Sequence, residues 1–313
     1  MKKLIYTVLA IVSSLMTTMA FTACSSDKNN PGLGQGDADD SVYLLDSFVV
    51  VSASGTIESK QIYRYDQQGT WTELETIDNI DSTHTLAIND KFDSEGRFLH
   101  QIVYDVSDGK HDKIQEATDE YKDNVLYEAI DKVDGICTKA VVTYDKDERV
   151  KEKDITSLAD NGLYKPYYTV VYEYDDHGNV VSEKYSDKSN IDYHVNYSYE
   201  YEYDDKCQKD QYVSKTKYYL PGGGSKIADS RSEMKYDSLG NCVARYDYQA
   251  IEYGKPVTLT GHSEYNVQTD IPSEKIKELT YTPWQPHCST VIKDYDAAGK
   301  LISTSTYYFS KMK

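Results

Sequence analysis

From residue 42 onward the chain alternates apolar and polar side chains. Tyr197, Tyr199, Tyr201 and Tyr203 share one face of an extended strand, and Ser198, Glu200 and Glu202 share the other. A period of two predicts half-buried β-strands, and helical spacing offers little competition. The alternating runs end in a recurrent turn. Its clearest copies are Tyr63-Arg64-Tyr65-Asp66-Gln67-Gln68-Gly69, Tyr172-Glu173-Tyr174-Asp175-Asp176-His177-Gly178, Met234-Lys235-Tyr236-Asp237-Ser238-Leu239-Gly240 and Lys293-Asp294-Tyr295-Asp296-Ala297-Ala298-Gly299. Phe92-Asp93-Ser94-Glu95-Gly96 is a Phe version. Tyr144-Asp145 and Tyr203-Asp204 keep the anchor but carry Glu148 and Cys207 in place of the glycine. With degenerate units at Tyr121 and Tyr265, nine units recur about every 29 residues, the mark of a repeat architecture.

The turn has a local cause. Asp at its first position accepts from nearby backbone N–H groups, and Gly three residues on takes the left-handed conformation, so a type I turn closes with a glycine bulge. That hairpin sets each anchor opposite the residue six positions on: Trp71, Phe98, Val150, Val180, Cys242 and Leu301 oppose Tyr65, Phe92, Tyr144, Tyr174, Tyr236 and Tyr295. Aromatic–apolar cross-strand pairs contribute roughly 0.2–1 kcal/mol each. Lys209, opposite Tyr203, is the exception. The fold class expected is all-β: about eighteen strands in tandem antiparallel hairpins, forming an extended, curved or twisted meander sheet. Apolar residues also fall on the second face (Leu99, Val181, Val243 and Ile302), which leaves open a single curved layer or a sheet folded on itself. The returning loops are long and irregular, among them Ser157 to Lys165, Pro221 to Ser225 and Pro283-Trp284-Gln285-Pro286. In repeat folds such insertions collect on one side, often the binding side.

The first 41 residues follow another pattern. Met1-Lys2-Lys3 precedes an apolar stretch from Leu4 to Met19, too short and hydroxyl-rich for a membrane span and laid out like a secretory signal peptide. Phe21-Thr22-Ala23-Cys24 resembles the lipobox of bacterial lipoproteins, with Phe21 in place of the usual leucine. The resemblance implies cleavage before Cys24, lipidation of its thiol and amine, and a partner in the membrane itself. Two acyl chains suffice for stable anchoring at about 0.8 kcal/mol per buried methylene. Ser25 to Asp40 lack any aliphatic run and read as a flexible tether, these sixteen residues spanning roughly 20–24 Å. The domains expected are 1–23, signal peptide; 24–41, tether; and 42–313, repeat domain. Ser25-Ser26-Asp27 weakly resembles the surface-export signal of some Bacteroidota lipoproteins, and leaves periplasmic against cell-surface placement open.

The Tyr-Asp-x-x-Gly units resemble the YD repeats of the RHS family and of small YD-like lipoproteins of Bacteroidota, over about residues 65–305. Large RHS shells enclose a C-terminal toxin. This chain runs only a few residues past Tyr307-Tyr308-Phe309, so that role is not expected here.

Composition narrows the function. The formal net charge is −18, with no local basic cluster, which excludes nucleic acid and anionic surfaces as partners. There are 31 tyrosines against 5 phenylalanines and 2 tryptophans, so tyrosine takes over the work of aliphatic core residues and suits an elongated sheet. No metalloprotease, Cys-x-x-Cys, nucleophile-elbow or phosphate-loop motif occurs; the glycines at 32, 34 and 36 follow no strand. Asp-rich turns such as Asp175-Asp176-His177-Gly178 lack EF-hand spacing and are explained by turn capping. Neither metal nor cofactor is expected, and no catalytic residue is assigned. Cys207 and Cys242 sit in adjacent units, one in a turn and one in an apolar strand slot, so no disulfide between them is expected. A non-catalytic envelope module for a glycan or protein ligand is the leading reading. The alternatives are a structural or secretion-associated protein, and a glycan hydrolase, which two converging carboxylates of perturbed pKa would favour. Trp284, stiffened by Pro283 and Pro286, is the candidate ligand contact, whereas Trp71 fills a packing slot.

Overall fold

The computed structural model describes residues 41–312 apart from 124, 134, 189–193, 204–208, 221–223, 251–255, 273–274 and 278–286. Strands account for most of what is described, and no α-helix occurs among those residues. In chain order they are β1 (Tyr43–Ser52), β2 (Ile57–Tyr65), β3 (Trp71–Asp78), β4 (Thr83–Phe92), β5 (Phe98–Asp105), β6 (Asp112–Lys122), β7 (Val125–Val133), β8 (Ile136–Tyr144), β9 (Val150–Leu158) and β10 (Tyr164–Tyr174). They continue as β11 (Val180–Asp187), β12 (His194–Tyr203), β13 (Lys209–Leu220), β14 (Gly224–Tyr236), β15 (Cys242–Gln249), β16 (Thr258–Pro272), β17 (Ile276–Lys277), β18 (His287–Asp296) and β19 (Leu301–Lys311). The all-β antiparallel meander expected from the alternation is what forms.

The Asp-x-x-Gly turns close as their chemistry requires. In the turn after β10, Asp175 N–H donates to the Asn179 carbonyl (2.9 Å) and Gly178 N–H to the Asp175 carbonyl (3.1 Å). The Asp175 carboxylate then accepts from the N–H groups of His177 (2.9 Å) and Asn179 (2.8 Å). The same set recurs at Asp66, Asp93, Asp145, Asp237 and Asp296. Gly178 sits at φ 81°, and Glu148 is forced to φ 59° in the repeat that lacks the glycine. A bulge follows each turn, and the cross-strand pairs Tyr65–Trp71, Tyr144–Val150, Tyr174–Val180, Tyr236–Cys242 and Tyr295–Leu301 form in register. The Tyr203–Lys209 turn contains residues 204–208 and lies outside the described part.

One unit departs from the sequence expectation. Tyr265 starts no hairpin: β16 runs through it for 15 residues and pairs directly with β18. Glu264-Tyr265-Asn266-Val267 has neither the turn aspartate nor the glycine, so nothing stops the strand. The strand count is instead made up by β1, which lies ahead of the first anchor.

The chain divides into two units. In the first, residues 86–198 with 216–227, strands β5 to β12 pair in sequence. Ala140, Val142, Val150, Ile155, Val170 and Tyr172 are buried on one face. In the second, the described residues within 41–85, 199–215 and 228–312, strand β1 pairs with β2 on one side and with β19 on the other, so the first strand is joined to the last. Beyond β19 come β18, β16, β15 and β14. The short β17 lies parallel to β1, where Ile271 and Ile276 pack on Tyr43 and Phe309.

Candidate functional site

Five strands of the second unit, β14, β15, β16, β18 and β19, build a polar site on a fold otherwise held by tyrosine. Register fixes its rows. Met234, Arg245, Ser263, Asp294 and Ser303 are consecutive cross-strand neighbours, and Ser232, Asp247 and Gly261 form the next row on the same face. This face also carries Tyr265, whose phenol is pushed up to about 12 by burial. Tyr246, His262 and Tyr295 belong to the opposite face. The last anchor thus faces away from the row that holds Tyr265, and Asp294 occupies the inner position beside it.

Two features open the sheet here. Asp247 pairs with Gly261 while Tyr248 pairs with Leu259, so Thr260 is an extra residue, a β-bulge. Gly261 then brings β16 close to β18: a Cβ at this position would lie 2.5 Å from the Tyr295 carbonyl oxygen. Glycine inside a strand commonly marks such an approach. The missing side chain and the interrupted ladder leave a cavity of about 380 Å3. Residues of both faces line it, with Arg245, Asp247 and Asp294 from one and Arg231, Tyr248 and Tyr295 from the other.

Most polar atoms of the site are held from within. Asp247 Oδ1 accepts from Ser232 Oγ (2.5 Å) and Arg245 Nε (2.8 Å). Asp294 accepts from Ser263 Oγ at one oxygen (2.6 Å) and Ser303 Oγ at the other (3.2 Å). Ser232 and Ser303 are buried. Arg231 Nη2 lies 3.0 Å from Glu233, with its guanidinium carbon 4.3 Å from the centre of the Tyr248 ring. Two atoms are left over. Among the described residues, Asp247 Oδ2 takes no hydrogen bond, those of this carboxylate falling on Oδ1, and the buried Arg231 Nε, on the other face, has no acceptor. Beside the cavity runs an aromatic stack: Tyr246 and His262 with centroids 5.3 Å apart, His262 and Tyr295 at 4.5 Å and 6°. Tyr295 Oη donates to Glu264 (3.0 Å).

A second group of charges is buried in the first unit. Asp131 accepts twice from Gln115 Nε2, at 3.0 and 3.2 Å. Burial, then the charge of Asp131, pushes the Asp119 carboxyl up to about 7, and burial raises Asp131 as well. Glycoside hydrolysis needs one acid and one ready base from such a pair. Both carboxyls here are displaced in the same direction, upward, by burial. Lys153, buried between Val142 and Val170, is drawn down to about 8 by burial, with its ammonium 5.3 Å from the Tyr172 ring centre.

Of the residues singled out by sequence, Cys24 and Trp284 lie outside the described residues. Trp71 occupies its packing slot: it faces Tyr65, lies 6.3 Å from Tyr63, and donates from Nε1 to the Glu73 carbonyl (2.9 Å). Cys242 is a buried free thiol opposite Tyr236, and burial pushes it up to about 11. The polar rows around Asp247 and Asp294 were not singled out. Gly261 within an alternating run was the signal present in the sequence.

No family model matches the chain, and no curated protein matches it. Among solved structures it is similar to a porin-like protein from Bacteroides vulgatus, with 9% identity and a TM-score of 0.34, over 85% of this chain and 98% of that one. A porin-like protein from Bacteroides uniformis is similar at 8% identity and a TM-score of 0.34, over 85% of this chain and 96% of that one. Likenesses at this level carry neither a family nor a function to this chain.

Proposed function

We propose that this chain is a cell-envelope lipoprotein, cut before Cys24 and anchored through it in the outer membrane on the periplasmic or cell-surface face. Its domain of YD-like repeats acts as a non-catalytic binding module for a glycan or protein ligand. The anchor reading is supported by the basic start, the apolar stretch and Phe21-Thr22-Ala23-Cys24. The binding reading is supported by one observation above the rest. The cavity over Gly261 is lined by Asp247 and Asp294, and Asp247 Oδ2 accepts no hydrogen bond among the described residues.

Two experiments test the parts separately. Cell fractionation should place the native protein with membranes and Cys24→Ala in the soluble envelope fraction. Membrane retention of that variant would refute the anchor. Screening envelope glycans and peptides against the purified protein by thermal shift should yield a stabilising ligand. Saturation at a hundred times Kd contributes about 2.7 kcal/mol.

A further inference from the structure

We infer that Lys153 is a covalent modification site, an unpaired amine that forms an imine with a small neutral aldehyde. The site lies in the first unit, and the inference does not depend on the binding-module reading.

Register builds its walls. Lys153 stands in the row Val142, Lys153, Val170 and Tyr185, between the row of Ile155 and Tyr168 and the row of Tyr172 and Glu183. Val142, Ile155, Val170 and Tyr172 are buried, and Lys153 is 6% exposed. A lysine usually buries its stem and keeps its ammonium in water or against a carboxylate. Lys132, Lys139 and Lys188 lie 3.0, 2.6 and 2.6 Å from Glu116, Glu128 and Asp154. Lys153 has no such arrangement. Among the described residues its Nζ makes no hydrogen bond or ion pair. Its neighbours are the Tyr172 ring at 5.3 Å and the charge of Glu183, whose Oε2 already accepts from Tyr185 Oη at 3.1 Å. Arg231 Nε is the one side-chain atom among the described residues that is both unpartnered and sealed from solvent. Lys153 Nζ, equally unpartnered, therefore keeps an opening to water.

The walls then select the chemistry. An unpaired ammonium against apolar neighbours is disfavoured, and the group responds by giving up its proton: burial draws Lys153 down to about 8. A desolvated lysine amine is a nucleophile toward carbonyl compounds. Its lone pair attacks the carbonyl carbon, a proton passes from nitrogen to oxygen, and water leaves as the C=N bond forms. No oxidant or reductant is consumed. The imine is neutral, so the reaction removes the unpaired charge. The narrow opening admits a small reagent, and an aldehyde carrying a carboxylate would bring a second negative charge toward Glu183.

The test gives the purified mature protein brief pulses of acetaldehyde between pH 6 and pH 10. Borohydride then reduces any imine to a stable ethyl-lysine, and peptide mapping by mass spectrometry locates it. At pH 8 Lys153 should be labelled about tenfold faster than Lys139 or Lys184. Its rate should level off above about pH 9, while theirs should climb through pH 10. Lys153→Met, which keeps the length of the stem without the amine, should remove the fast component and leave the melting temperature unchanged or higher. Labelling of Lys153 no faster than that of Lys184 would overturn the inference. So would a rate that climbs in parallel with theirs, or labelling that appears only in urea, which would mean that the amine is sealed.

Discussion

The hydroxyl of Tyr174 donates to the backbone carbonyl of Val150 at 2.7 Å, and Val150 is the residue that faces Tyr144 across the strand pair. Tyr144 repeats the relationship one unit earlier: its hydroxyl reaches the carbonyl of Leu126 at 2.7 Å, and Leu126 faces Tyr121. Tyr144 and Tyr174 are therefore each tied to the cross-strand partner of the anchor before them. Repeat is linked to repeat through a hydroxyl, which explains tyrosine rather than phenylalanine at these positions. Arg149 strengthens the join, with its guanidinium 4.7 Å from the Tyr174 ring centre while it pairs with Asp145.

Removing that hydroxyl leaves a strand carbonyl without its donor. Tyr174→Phe should lower unfolding stability by about 1–2 kcal/mol, measured by urea titration. Tyr295→Phe removes a hydroxyl whose partner is the exposed Glu264 and should stay within about 0.5 kcal/mol. Equal effects of the two would dissolve the distinction.

Glu148 stands at φ 59° where its sister turns have glycine. A left-handed side-chain residue costs roughly 1–2 kcal/mol, part of which glycine returns as unfolded-chain entropy. Glu148→Gly should raise stability by up to about 1 kcal/mol, whereas Gly178→Glu should lower it by a similar amount. A shift of the urea midpoint in the opposite direction for either would show that the turn tolerates side chains freely.

The Asp119 carboxyl, pushed up to about 7 by burial and by Asp131, gives stability an unusual slope. Between its unfolded value of 3.8 and about 7 the folded state holds more protons than the unfolded one. Stability contributed by this residue is thus full below that window and is lost as pH rises through it. Glu116 acts elsewhere: hydrogen bonds first from Lys132 and then from His100 hold it down to about 2, so its contribution is lost only in stronger acid. Urea midpoints should fall from pH 5 to pH 8 in the native protein, and Asp119→Asn should flatten that fall. A native midpoint that rises over this interval would place Asp119 in solvent.

Cys242 is 3% exposed, its thiol raised to about 11, and it points at the Ala244 carbonyl at 3.5 Å. Only the thiolate is a nucleophile. Peptide mapping after brief alkylation at pH 8 should find Cys242 unmodified in the folded protein and modified in urea. Rapid native labelling would mean that its strand opens easily.

Much of this architecture is legible in sequence because it is local. A turn aspartate, a glycine three residues on and an aromatic before them dictate a hairpin regardless of what surrounds it, and the pairs at Tyr65, Tyr144, Tyr174, Tyr236 and Tyr295 follow from counting. The Tyr265 unit misleads for the same reason. Its aromatic spacing fits the repeat, but spacing without turn chemistry does not bend a strand. The cavity depends on long-range register. Arg245 and Asp294 meet through Ser263 only once β15, β16 and β18 are aligned, and no local rule sets the bulge at Thr260. The tie from Tyr174 to Val150 is likewise invisible until neighbouring hairpins pair.

The pairing of β1 with β19 sets how this chain can acquire its structure. Met312 N–H donates to the Val42 carbonyl (2.8 Å), and Ser310 Oγ to Asp46 across 264 residues of sequence. A strand made first finds its second partner last. During vectorial synthesis, β1 holds one edge unpaired until the rest of the chain has emerged, and an open edge is a template for pairing between molecules. Contacts of such separation slow folding, because the chain entropy is lost before the contact is gained. Linking residues 312 and 42 by a short bridge and opening the chain at the turn containing Gly178 makes that contact local. Such a circular permutant should reach the same structure, refold faster, and aggregate less while doing so.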